Sequence, residues 1–404
     1  MKVFYGWRMV AAACFLQFLQ AALMMQAFGA YFAVLSAEFG WSKTALSGAA
    51  VMQPLEAAIL GPLLGWLIDR FGPQRMIRAG VFCMGAGLIA FSQINTLLAF
   101  YAAFTLIAFG TSLAGFFTLS VAIIHWFEKQ RARALSMLSL GLAVGGMATP
   151  LIAMSIEQYG WRNSALASGL LLLLAAWPLT RIFRRHPADV GETIDGLAVA
   201  LVDIDSTSEP PAREFTVREA LNTRAFWLLS IGHSLALVTV YTVNVHAITH
   251  MKEGLGYSLA QASLFMMLMT GGQLLGVLLG WLVGDRFDKR YVASICMLLH
   301  AGGLLMLTYA TNSAMLVAFA ALHGVAWGLR GPFMQALRAD YFGRKSIGMI
   351  LGLSSLITVI GQIGGPMIAA AFADATGNYR TGFTVLAIVI GLGSLSFLLA
   401  RRPQ

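Results

Sequence analysis

Gly65-Trp66-Leu67-Ile68-Asp69-Arg70-Phe71 returns 215 residues later as Gly280-Trp281-Leu282-Val283-Gly284-Asp285-Arg286-Phe287. Both copies close a long apolar run with a Gly-Trp-Leu triplet followed by an Asp-Arg pair. Two further matches keep nearly the same offset. Tyr159-Gly160-Trp161-Arg162 pairs with Gly377-Asn378-Tyr379-Arg380, and Gly145-Gly146 with Pro150 pairs with Gly364-Gly365-Pro366. Ordered matches at a near-constant spacing mark an internal duplication. In a chain of apolar runs, this duplication predicts parallel repeats about an axis along the membrane normal, with a site at their interface.

Composition identifies the solvent. The 404 residues are 58% hydrophobic and only 11% charged, whereas a soluble chain carries about 25% charged residues. The mean hydropathy of +0.75 agrees. No globular core hides this much apolar surface, so the surroundings must be lipid. Soluble enzymes and disordered scaffolds are excluded. Runs long enough to cross the hydrocarbon fall near 9–35, 44–68, 76–94, 97–126, 134–156, 163–181, 225–250, 258–284, 291–310, 313–337, 346–372 and 381–400. The first is too long for a signal-peptide core and is expected to be retained. The fold class is therefore all-α integral membrane: twelve transmembrane helices in two parallel six-helix repeats. The polar stretch after span six, with Pro187, Pro210, Pro211, Asp203, Asp205 and Glu209, reads as a flexible cytoplasmic linker. The expected domains are an N-terminal half at 1–183, a linker at 184–222 and a C-terminal half at 223–404.

The basic residues orient the bundle. With a cytoplasmic N-terminus, only Lys43, Arg162, Lys252 and Arg380 face outward, and Arg330 lies within a span. The other 22 of the 27 Lys and Arg fall on the inner side. This asymmetry predicts a multi-pass protein of the plasma membrane, of the bacterial inner-membrane type, with both termini cytoplasmic. The formal net charge of +9 then reflects topology, and lipid head groups rather than nucleic acid are its polyanionic contact. Cys14, Cys83 and Cys296 sit far apart in apolar runs and read as small hydrophobes, not as a disulfide or metal site.

With these motifs in view, the chain resembles the major facilitator superfamily over its whole length. Gly65 to Arg75 is similar to that superfamily's signature between spans two and three. Tyr5-Gly6-Trp7, and the segment from Trp126-Phe127 through Arg131 and Arg133 to Pro150, resemble the monocarboxylate and oxalate/formate porter branch. Members of that branch usually carry a basic substrate residue in span eight, and some a lysine in span eleven. Spans eight and eleven here have no interior Lys or Arg. The resemblance implies the major facilitator fold, alternating access and a monomer.

Two charges remain deep in the spans. Of 18 acids, only Glu56 lies well inside; about 12 residues at 1.5 Å each put it ~18 Å from the outer end of span two. Arg330 lies in Trp327-Gly328-Leu329-Arg330-Gly331-Pro332, where glycines and a proline loosen the helix. A buried charge needs a partner or water. Arginine keeps its proton and its planar fork suits a carboxylate, so Arg330 either binds an anionic substrate or forms a structural ion pair. Glu56 is either a proton carrier or a structural acid, and sequence does not show whether the two pair.

Polar stripes accompany them. His323 and Trp327 share a helical face with Arg330. Span seven carries Thr239, Thr242, His246 and Thr249, with Tyr241 and Asn244 beside them. Span one carries Gln17, Gln20, Met24, Phe28 and Tyr31. Each stripe lines a cavity or hydrogen-bonds a neighbouring helix. Arg330, His323, Trp327, Tyr31, Gln53, Asn244 and Tyr241 are the candidate substrate contacts, and Glu56 and His246 the candidate proton groups. His125, His233 and His300 read as packing residues. Gly65, Asp69, Arg70, Gly72 and Arg75, with their copies Asp285, Arg286 and Arg290, read as a conformational latch whose breaking favours inward opening.

The expected function is secondary active transport of a small organic anion, most simply a monocarboxylate, by proton symport and alternating access. Anion exchange and proton-coupled efflux of amphiphilic compounds are the alternatives. No nucleotide motif, nucleophile or metal constellation is present in the sequence, so neither an enzyme nor a cofactor is expected. The energy must come from a gradient.

Overall fold

The computed structural model describes residues 4–25, 27, 31, 34–35, 38–41, 60–196 and 214–403. Helix α1 (Tyr5–Gln20) runs on into a wider π turn at Ala21–Met25. There follow α2 (60–71), α3 (Pro73–Phe91), α4 (Leu97–Ala114) and α5 (Phe116–Ile124). Next come α6 (Arg131–Met147), α7 (Thr149–Tyr159) and α8 (Trp161–Leu171), the last extended by a π turn. The rest comprises a short α9 (Val217–Leu221), α10 (Arg224–Thr249), α11 (Leu259–Val283), α12 (Lys289–Thr308), α13 (Ser313–Phe342), α14 (Ile347–Thr376) and α15 (Arg380–Leu399).

Nine runs among the described residues are long and apolar enough to cross a membrane. With α2, α3 and α8 they fill the twelve expected places. Most of the expected 44–68 span lies outside the described residues; only its end, in α2, is seen. Leu98, Leu174 and Ile360 are 80%, 74% and 70% exposed. In water such exposure is costly, whereas hydrocarbon accepts it.

The chain divides into two compact units. Unit 1 holds residues 1–129, 137–211 and 347–352, and unit 2 holds 130–136, 212–346 and 353–404. Thus the first turn of α6 belongs to unit 2, and the first turn of α14 to unit 1. The described parts of the expected linker are built rather than loose. In unit 1, Asp195 accepts from the Glu128 and Lys129 amides, and Glu192 accepts from the Tyr5 amide. In unit 2, Thr216 and Glu219 cap α9 reciprocally.

The repeated motifs mark real turns. Gly160 and Gly377 have φ of 80° and 74° ahead of α8 and α15, a conformation only glycine adopts cheaply. In unit 2, glycines let α11 and α13 touch backbone to backbone. A Cβ on Gly328 would stand 2.0 Å from the Gln273 carbonyl oxygen, and one on Gly324 2.2 Å from that of Met269. Such small-residue seams are how helices associate in lipid. Gly328→Ala is therefore expected to destabilise unit 2 by about 1–3 kcal/mol through overpacking. Gly302→Ala, with open space around it, should leave the melting temperature in detergent equal or higher. Thermal unfolding of the two variants checks this.

Candidate functional site

Several deeply buried polar groups of unit 2 lie along α12 and α13. Asn312 starts α13 by accepting from the Met315 amide. Its long helix then carries His323, Trp327, Arg330 and Arg338 along the bundle. His323 is 0% exposed and Arg330 1%. Trp327 is half-buried. Pro332 has no N–H to bond back to residue 328, which loosens the backbone beside Arg330.

Among the described residues, Arg330 is a cation without an anion beside it. Among the described residues no acid lies within ion-pair distance of it, and its Nε and Nη1 have no hydrogen-bond partner. A guanidinium so placed is under strong demand for an acceptor. His323 meets His300 of α12 with Nδ1 to Nδ1 at 3.2 Å and ring centroids 4.5 Å apart. His300, read from the sequence as packing, is thus half of a polar pair. Arg330's charge acts on both rings and on Cys296, one turn before His300.

Arg338 also differs from expectation. Counted with the inner edge, it is only 2% exposed. It donates to the Met334 and Leu229 carbonyls and to Nδ1 of His233 on α10. His233, also read as packing, therefore accepts a charged hydrogen bond.

The stripes resolve toward neighbouring helices. Thr239 and Thr242 are fully buried, and a Cβ on Gly365 of α14 would stand 2.7 Å from the Thr242 hydroxyl. His246 Nε2 lies 3.0 Å from the Pro366 carbonyl, with its ring 5.0 Å from that of Tyr379. Asn244 is exposed and Tyr241 half-buried. Among the described residues, no hydrogen bond or ring contact joins these three to Arg330. In unit 1, Gln20 donates to the Ala114 carbonyl at 2.8 Å. Tyr31 is fully buried, edge-on to Phe91, with its hydroxyl beside Ser168. Gln53, Glu56 and Phe28 lie outside the described residues. The cysteines are free; Cys296 is buried, Cys14 and Cys83 only partly so.

Of the residues expected to form a latch, Asp69 and Asp285 cap two helix starts. In unit 1, both carboxylate oxygens of Asp69 accept from the start of α14, from the Gly348 amide at 3.0 Å and the Met349 amide at 2.9 Å. Ser346 stands at the cap position but makes no side-chain cap bond, so α14 takes its cap from 279 residues away. Gly65 permits this approach: its Cβ would strike the Gly348 oxygen at 2.3 Å. Gly72 turns at φ 82°, Arg70 lies over Trp66, and Arg185 donates to the Asp69 carbonyl. Arg75 is exposed. In unit 2, Asp285 accepts from the Ala132 and Arg133 amides at the start of α6. Lys289 joins Asp285 and Asp340, each at 2.9 Å, and Asp340 also pairs with Arg131. Arg286 is exposed, and Arg290 pairs with Asp288 at 2.7 Å. A carboxylate at a helix start satisfies orphan amides and meets the positive end of the dipole. Asp340 was missed because its partners Arg131 and Lys289 are remote in sequence, whereas the i,i+4 spacing of Lys289 and Asp285 was a signal the sequence did carry.

A family model described as Major Facilitator Superfamily matches residues 13–288 and 229–404. Among curated relatives, the chain is 24% identical to monocarboxylate transporter 13 of Bos taurus over 398 residues, spanning 96% of this chain and 88% of that one. It is 25% identical to the MFS transporter asaE of Aspergillus flavus, over 85% of this chain and 74% of the relative. Among solved structures, the proton:xylose symporter XylE superposes with a TM-score of 0.76 at 15% identity, covering 98% and 96% of the two chains. The human organic anion transporter MFSD10 superposes with a TM-score of 0.72 at 13% identity, covering 97% and 99%.

Burial pushes the Asp69 carboxyl up to about 6, outweighing the opposing effects of the two amide bonds and the Arg185 charge. The packed arrangement thus binds a proton more tightly than a released Asp69 near 3.8. Its acid stabilisation is complete below about 4 and is lost as pH rises through 6. Protection of the Gly348 and Met349 amides, corrected for intrinsic exchange, should rise as pH falls from 6 to 4. Asp69→Ala, which removes the cap, should speed their exchange about 2- to 30-fold, in line with a cap contributing ~0.5–2 kcal/mol. Amide hydrogen exchange read at these positions decides both.

Proposed function

Since the chain belongs to the Major Facilitator Superfamily and is a multi-pass membrane transporter rather than an enzyme, we propose that it carries a small organic anion, most simply a monocarboxylate, together with protons by alternating access. One observation supports the anion reading above the others: Arg330 is buried and has no acid beside it among the described residues. A carboxylate would supply both the charge and the in-plane acceptors that its fork demands. A cationic cargo would add a second positive charge at the same place. Relatives described as monocarboxylate transporters and a fold neighbour described as an organic anion transporter point the same way.

In this reading His323 and Trp327 flank the bound anion on α13. The Asp69 and Asp285 caps act as the latch, holding the starts of α14 and α6 until substrate shifts the balance between states. The protein resides in the plasma membrane, works as a monomer with both termini cytoplasmic, and binds no nucleic acid. The positive-inside distribution of Lys and Arg supports that orientation.

The test uses purified protein in liposomes with an inside-alkaline gradient and labelled lactate, pyruvate, benzoate and oxalate. Uptake of one acid is expected to depend on the gradient. Arg330→Gln should weaken its binding about ten- to hundredfold, the loss typical of a charged hydrogen-bond partner. If Arg330→Gln transports as well as the wild type, or only hydrophobic cations move, the anion reading fails.

A further inference from the structure

Two imidazoles facing each other Nδ1 to Nδ1 at 3.2 Å restrict where their hydrogens lie. Both nitrogens cannot be bare, and both cannot carry hydrogen. One ring donates through Nδ1–H, and its Nε2 is then a bare base. The other accepts at Nδ1 and keeps its hydrogen on Nε2. Both rings are 0% exposed, and neither Nε2 has a hydrogen-bond partner among the described residues. The pair therefore offers a single basic nitrogen, and one proton fills it.

We infer that the His300–His323 pair is the seat of the co-transported proton, and that an anion held by Arg330 is what allows the proton to bind there. This rests on the anion reading of Arg330 above. The charged and titratable groups around the pair are few. Arg330 acts on both rings from α13, Cys296 lies one turn away on α12, and α10 contributes His233, already engaged by Arg338. Helix α11 carries no ionisable side chain, and α15 only Arg380 at its outer start. No described carboxylate stands beside the pair; burial weighs most on the two rings, and Arg330 is the described fixed charge that acts on both.

The order of events follows from charge. In the empty protein Arg330's fixed positive charge repels a second one from the imidazoles. A bound carboxylate cancels that repulsion, and the bare Nε2 then takes a proton from the water on the side where the anion entered. On the other side the anion leaves, the repulsion returns, and the proton follows it out. Empty and loaded sites carry the same net charge: guanidinium alone, or guanidinium, carboxylate and imidazolium. Neither crossing therefore adds a charge to the other's electrostatic cost. Coupling of this kind is reciprocal, so protons must raise anion affinity as much as the anion raises proton affinity.

The experiment measures binding of lactate and of benzoate to the full-length protein from pH 5 to 8, by calorimetry in buffers of different ionisation enthalpy. The wild type is expected to take up about one proton per anion, its Kd falling about tenfold per pH unit as the pH drops. His300→Gln should bind with the wild type's high-pH affinity at every pH and take up no proton; in His323→Gln, which also alters the anion's surroundings, the proton uptake and the pH slope should vanish as well. In liposomes they should exchange anion without accumulating it. The inference is overturned if either variant keeps the wild-type slope and proton count, or if both lose anion binding altogether. It is equally overturned if Glu56→Gln abolishes proton uptake while the two histidine variants retain it. Arg330→Gln separates the two readings. Wild-type affinity in that variant sinks the anion site itself, whereas lost binding there with unchanged histidine variants sinks only the proton seat.

Discussion

Hydrocarbon supplies neither hydrogen bonds nor counter-charges, and this constraint shapes every part of the chain. Backbone groups are satisfied inside helices. Those helices come together through bare glycine backbone, as at Gly324 and Gly328 against Met269 and Gln273. Helix starts, whose first amides have no internal partner, are met by Asp69 and Asp285. The constraint also makes Arg330 informative. On a soluble surface an arginine without a near anion carries no message; at 1% exposure and with no described acid beside it, Arg330 needs an acceptor from elsewhere.

Much of this architecture was legible because lipid leaves a coarse imprint. Apolar runs set the spans, Lys and Arg suggested the sides, and the duplicated Gly-Trp-Leu motif exposed the repeat. Arg330 stood out for the same reason: charge is so rare within the spans that one residue is conspicuous.

What could not be read was always a partner. A serine just ahead of α14 suggests a helix that caps itself, yet Ser346 makes no such bond and Asp69 takes its place. Nothing local announces an acceptor 279 residues away. His300 shared its helix with apolar neighbours and looked like packing until α13 brought His323 to it. The stripe of span seven fitted a cavity and an interface equally well; only the structure showed that α14 lies against two of its members, Thr242 and His246. Periodicity assigns a residue to a face of its own helix, but the identity of the facing helix is a tertiary fact.

The two caps show how far a duplicated motif keeps its chemistry. In both copies an Asp accepts two amides at a helix start, so the geometry survived. The surroundings did not. Asp285 has Lys289 at 2.9 Å, and the same lysine reaches Asp340, which holds Arg131. Asp69 has amides and the Arg185 charge, with burial dominating its carboxyl. One cap is therefore embedded in a network of charges, and the other in a contact whose buried carboxyl responds to protons. A transporter whose repeats were identical would loosen at both helix starts under one condition. Divergence of the charges around an inherited cap thus leaves this chain with two helix starts held in different electrostatic surroundings.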